Sequence, residues 1–153
     1  MDIAAMAKRA LHHYPRQVIP LKKYSDQERL NGLYTDLLCS LSDLMEVSNK
    51  GSNPEKYQAY AKVLLAFFMI SNEQKTSYKL LLSDEELQKM RAKWQSQSFN
   101  AVYLIAVRLL EKSHFEHQLS DFVRAWHVIL KYGLVDLALD EQKIVAYYNE
   151  LTA

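Results

Sequence analysis

The sequence predicts an all-α, single-domain antiparallel bundle of six or seven helices. Three observations lead there. Only three glycines and three prolines occur in 153 residues, too few breakers for a turn-rich β architecture. Apolar residues recur at three-and-four spacing through most of the chain, and no stretch reads convincingly as a strand. The helix-start signature S-x-x-E stands at Ser25–Glu28 and again at Ser83–Glu86. The length is that of one domain. A chain of this size buries roughly 70% of its extended surface, so one core holds without disulfides or metal.

Taken in order, Ile3, Met6, Ala7, Ala10, Leu11 and Tyr14 mark one face of a first helix. Pro15 ends it, because the residue before a proline is pushed out of the helical region. The stretch from Pro15 to Lys23, with Pro20 inside it, is predicted to be extended. Residues 1–24 therefore read as a basic helix and extended arm, and residues 25–153 as the helical bundle. Ser25 opens the clearest helix, with Leu30, Leu33, Tyr34, Leu37, Leu38, Leu41, Leu44 and Met45 on one stripe. "NKGSNP" breaks it, and Asn53 with Pro54 is the predicted cap and first-turn pair of the next helix. That helix becomes apolar on every side in "VLLAFFMI", the pattern of a central bundle helix or of one that exposes a side to a partner. Polar residues end or kink it near Ser71.

A helix from Ser83 is expected to point Leu87, Met90 and Trp94 inward, and another from about Phe99 to Lys112 follows through "AVYLIAVRLL". "SHFEHQ" reads as a connection. Leu119, Phe122, Val123, Trp126, Ile129 and Leu130 form the next stripe, closed by Gly133 as a C-terminal cap. The last helix starts near Asp136 or Asp140. Leu37, Leu64, Phe68, Leu104, Phe122 and Trp126 are the predicted core.

Composition excludes several classes. Cys39 is the only cysteine, so neither an internal disulfide nor a four-cysteine metal site can form. Cys39 lies off its helix stripe near Asp36 and Asp43, with no base to activate it, and reads as a small, partly buried packing residue. Lys8, Arg9, His12 and His13 interrupt the amino terminus before a secretory signal could form. The longest apolar run, Val63 to Ile70, is far short of the roughly 20 residues needed to span a bilayer. A soluble, cytoplasmic protein is the expectation.

The residues most suggestive of chemistry are Glu111 and His114, three apart as in the carboxylate metal sites of helical bundles, with His117 and Asp121 nearby. Such sites need two of these pairs and further inward glutamates, and this chain has one pair. No glycine-rich phosphate loop, nucleophile elbow or zinc-protease helix occurs. No enzyme activity, metal, cofactor or small-molecule substrate is expected, and a metal at Glu111/His114 is the one enzymatic alternative.

Charge is more informative. Residues 1–24 carry Lys8, Arg9, Arg16, Lys22 and Lys23 against Asp2 alone, while the remaining chain is slightly acidic. A basic segment on such a body suits an acidic partner, protein or nucleic acid; solvated terminal charge is the alternative. Arg124, His127 and Lys131 fall at i, i+3 and i+7 on one polar face. Arg108 with Lys112, and Lys89 with Lys93, stand one turn apart on the two preceding helices. If these faces are neighbours, they form a groove for phosphates; otherwise they are solubilising charge. Ten tyrosines suit interfaces and base stacking as well as core edges.

"DFVRAWHVILKYG", an aromatic and aliphatic helix closing on Tyr-Gly, resembles the final helix of the small helical subunits of CRISPR effector complexes. "LLCSLSDLMEV…YQAYAKVLLAFF" has a similar helix-loop-helix outline. The resemblance covers about half the chain and carries no catalytic or binding motif. It implies a subunit that lines a nucleic-acid backbone through basic side chains. The leading expectation is a non-catalytic helical interaction protein, whether adaptor, regulator or small subunit of a larger assembly. The alternative is a nucleic-acid-contacting subunit of a nucleoprotein complex.

Overall fold

A computed structural model describes residues 1–13 and 25–153 of the chain. The readings on Tyr14, Pro15, Arg16, Pro20, Lys22 and Lys23 lie outside the described residues. Among these, seven α-helices and no strand form a bundle: α1 (Ile3–Ala10), α2 (Asp26–Lys50), α3 (Asn53–Glu73), α4 (Asp84–Arg91), α5 (Phe99–Glu116), α6 (Leu119–Lys131) and α7 (Glu141–Leu151). A 3₁₀ turn at Ser77–Leu80 follows α3, and a π-helical turn at Tyr132–Asp136 follows α6. No helix among the described residues is long and apolar enough to cross a membrane.

Local capping explains where the helices begin. The Ser83 hydroxyl accepts from the Glu86 amide while the Glu86 carboxylate accepts from the Ser83 amide, a complete capping box. At α2 only half of it forms. Ser25 accepts from the Glu28 amide, but the Glu28 carboxylate turns to the Asn31 side-chain amide at 2.9 Å. The cap of α3 is Ser52 rather than Asn53, because Glu55 stands three residues on and closes a second full capping box, with Pro54 in the first turn.

Helix α3 is the centre of the molecule. From Val63 to Phe68 every side chain is buried, and α1, α2 and α7 all pack against it. Phe67 and Phe68 meet the Trp126 ring at 5.3 and 5.2 Å, and Phe67 also meets Phe122 at 5.3 Å. The Trp126 indole N–H donates to the Leu80 carbonyl at 2.9 Å, which ties the 3₁₀ turn to α6. Leu37, Leu64, Phe68, Phe122 and Trp126 are buried as expected.

Helix α1 belongs to the same core. Ile3, Met6, Ala7 and Ala10 are buried, the Tyr148 hydroxyl donates to the Met6 carbonyl at 2.7 Å, and the Asn72 amide donates to the Ala7 carbonyl at 3.0 Å. Leu11, expected on the inner face, is exposed beyond the end of the helix.

Gly133 departs from expectation in an instructive way. It does not cap α6 in the left-handed region, and no glycine among the described residues has positive φ. It lies buried inside the π-helical turn, where a Cβ would stand 2.1 Å from Tyr60 Cζ. The glycine is there for close approach, not for backbone freedom. The last helix begins after Asp140, whose carboxylate accepts from the Lys143 amide. Asp136 is instead buried ahead of it.

Candidate interaction surface

Helix α5 packs on α6 and α2 through Ala106, Leu109, Leu110 and Ser113. It runs on through "SHFE" to Glu116, so the expected connection is its last turn, and His117 closes it with φ 54. The opposite face has no cover among the described residues. Leu104 is 64% exposed, Ile105 51% and Phe115 76%. Helical spacing puts Ala101, Leu104, Ile105, Arg108, Lys112 and Phe115 on that outward side. Leu104 is thus not a core residue. Its neighbours within the helix are apolar on both sides, and the bundle covers only one of them. Trp94, expected to face inward from α4, is 93% exposed in the segment leading into α5. Helix α4 ends at Arg91, before Trp94 could complete its face.

The predicted basic residues fare differently from one another. Arg9 is a structural anchor: its Nε donates to Thr152 Oγ1 and its Nη2 to the Asn149 carbonyl, both at 2.9 Å, fastening α1 to the end of α7. Lys8 beside it is exposed. Lys89 pairs with Glu85 on its own helix at 3.5 Å. Lys93 lies beyond the end of α4, so the two lysines do not share a helical face. Lys93 instead approaches His127 on α6. Partial burial first, and the Lys93 charge second, hold the His127 imidazole below its usual range, with Glu86 opposing.

The α5–α6 seam brings Lys112 and Arg124 together, as the groove reading requires, but on a shared carboxylate. Asp121, almost wholly buried, lies 3.9 Å from Lys112 and 3.4 Å from Arg124. Lys131 turns away from solvent: its ammonium donates to Ser96 Oγ and lies 3.3 Å from the buried Asp136 carboxylate. The expected polar stripe of Arg124, His127 and Lys131 is therefore flanked by the buried carboxylates of Asp121 and Asp136, and Lys131 is not part of its exposed surface. Arg108 is exposed, and it has no ion pair among the described residues.

The Glu111/His114 pair is separated by the fold. Glu111 is exposed. His114 sits against the Tyr34 ring, with centroids 4.5 Å apart, and its Nε2 is 2.7 Å from Asn31 Oδ1. Since the Asn31 amide nitrogen donates to Glu28, the oxygen faces His114, and Nε2 carries the proton. Nδ1 is then a bare acceptor, buried and without a partner among the described residues. Burial, then the neighbouring His117, lowers the His114 pKa. Among the described residues no group of three or more His, Cys, Asp or Glu side chains is placed to hold a metal ion. Cys39 is exposed rather than partly buried.

Two clefts open elsewhere. One of about 640 Å³ is lined by the α2–α3 turn and by Asn100 and Tyr103 of α5. The other, about 330 Å³, lies over α2 and α3, with His13, Asp36 and Lys62 at its edge.

No protein-family model, curated protein or solved structure matches this chain. Three large apolar side chains, Leu104, Ile105 and Phe115, share one exposed helix face with Arg108. No composition signal marked this face in advance, because "AVYLIAVRLL" is apolar enough to satisfy two faces at once.

Proposed function

We propose that this protein is a non-catalytic helical interaction protein that docks through the outward face of α5. The observation that carries the reading is the shared exposure of Leu104, Ile105 and Phe115 on that face. The other exposed large apolar side chains, Leu11, Tyr78, Leu81 and Trp94, lie at a helix end, in the 3₁₀ turn or in connections, and none of them shares a helix face with another. Leaving the α5 face in water forgoes roughly 25 cal/mol for each Å² of apolar surface, a loss that a partner recovers.

A second reading, contact with a nucleic-acid backbone, draws support from Arg108, Lys112 and Arg124, which are all exposed along α5 and the α5–α6 seam. Asp121 offsets one of those charges, so the surface suits phosphate contact inside an assembly better than stand-alone binding.

Affinity purification of the full chain, with and without nuclease, tests both. Leu104→Asp with Phe115→Asp should keep the helical circular dichroism and lose the recovered partner in either condition. Recovery that nuclease abolishes and the double variant leaves intact would favour the nucleic-acid reading instead. Reversal of Arg108, Lys112 and Arg124 to Glu should then reduce it in a salt-dependent manner.

A further inference from the structure

The outward face of α5 carries charges as well as its apolar anchors, and Glu111 lies at its edge. Arg108 and Glu111 are both exposed, one turn apart, and neither has an ion pair or hydrogen bond among the described residues. Lys112 beside them is drawn towards Asp121. Read along the helix, the stripe is Ala101, Leu104, Arg108, Glu111 and Phe115, alternating steps of three and four residues. This is the spacing of a two-helix seam.

We propose that this face pairs antiparallel with the same face of a second copy of the chain. A two-fold axis passing between positions 109 and 110 sets Leu104 against the partner's Phe115 and Arg108 against the partner's Glu111. Each contact then occurs twice, as an isologous interface requires. The inference rests on the docking role of α5 argued above and names the occupant of that surface.

Charge complementarity selects both the occupant and the register. A parallel arrangement sets Arg108 against Arg108 and Glu111 against Glu111. Sliding the antiparallel pair by one heptad sets Leu104 against either Arg108 or a position beyond the stripe, and leaves Phe115 without an apolar partner. Only the register centred between 109 and 110 matches apolar to apolar and acid to base from Leu104 to Phe115, with Ala101 opposite Gln118 just beyond the helix. The seam from Leu104 to Phe115 is about 16 Å long at 1.5 Å per residue. A seam of about three helical turns is short beside the roughly 1,200 Å² and more of stable specific interfaces, so a weak, concentration-dependent dimer is expected.

Sedimentation velocity of the full chain over a wide concentration series tests the pairing. Wild type should shift from monomer to dimer. Arg108→Glu places like charges across the axis and should weaken the dimer roughly tenfold or more. Adding Glu111→Arg to that variant restores opposite charges and should return the dissociation constant to near the wild-type value. Circular dichroism should be unchanged throughout, since both side chains are exposed. The pairing is overturned if wild type stays monomeric across the series, if Arg108→Glu leaves the dimer unaltered, or if the double swap fails to restore it. A monomeric wild type that still captures a different protein through Leu104 and Phe115 overturns self-pairing alone. If Leu104→Asp with Phe115→Asp changes neither dimerisation nor partner recovery, the docking role of α5 fails as well.

Discussion

The ring of Tyr60 occupies the space that a side chain at position 133 would need. A Cβ on Gly133 would lie 2.1 Å from Tyr60 Cζ and 2.4 Å from its hydroxyl oxygen. The Tyr60 hydroxyl donates to the Ile129 carbonyl at 2.8 Å, one turn before the glycine. Burial pushes that hydroxyl's pKa far up, so it remains a donor at any ordinary pH. Because the ring is rigid and wholly buried, it has no room to yield. Gly133→Ala should destabilise the protein by about 1–3 kcal/mol or more through overpacking. Tyr60→Phe, which loses only the hydrogen bond, should cost about 0.5–1.5 kcal/mol. Urea unfolding of the two variants checks the order.

The Lys131–Asp136 pair holds the segment before α5 against the π-helical turn. Asp136 Oδ1 accepts from the Ser96 amide at 2.7 Å and from Lys131, while Oδ2 is buried without a partner among the described residues. Lys131→Met leaves the buried carboxylate without its cation and should cost about 3–5 kcal/mol. Combining it with Asp136→Asn should recover part of that loss. A double-mutant cycle measured by chemical denaturation tests the coupling. Strict additivity of the two single effects would show that the ion pair contributes nothing.

Helix α1 makes the amino terminus part of the folded body. Met6 is buried, and its carbonyl receives the Tyr148 hydroxyl. Met6→Ala should lower stability by about 2–5 kcal/mol, and deleting residues 1–10 should cost more. A thermal melt indistinguishable from wild type after that deletion would refute the packing role.

His114 should make stability depend on mildly acidic pH. Its neutral form is favoured in the fold, because protonating Nδ1 places a donor in a buried spot with no acceptor, and because His117 adds positive charge. The folded pKa therefore lies below the unfolded value of about 6.5. The unfolded chain binds the proton more readily, so the His114 contribution is fully present above that value and is lost as pH falls below it. His127 is shifted in the same direction. His114→Gln keeps a donor towards Asn31 but cannot titrate. Its denaturation midpoint should fall less than that of wild type between neutral and mildly acidic pH. His127→Gln, measured in parallel, separates the two histidines.

The all-helical architecture and the course of most helices were legible in the sequence, because they depend on neighbours within a few residues. The apolar spacing of Leu33, Tyr34, Leu37, Leu41 and Leu44 defines a buried face whatever lies opposite, and Ser83 with Glu86 completes its own cap. Which face of an apolar helix meets water is a different kind of question. "VLLAFFMI" and "AVYLIAVRLL" look alike as sequences, yet α3 is surrounded by three helices and α5 is covered on one side only. The fate of the basic residues was hidden for the same reason. Arg9 meets Thr152, Lys131 meets Ser96, and Lys112 and Arg124 meet over Asp121. Periodicity and capping are local properties of the chain, so the sequence by itself determined the helices and much of the core. Burial of a particular face, the role of Gly133 and the pairing of a particular charge depend on residues brought together across the fold, and only the tertiary structure decided them.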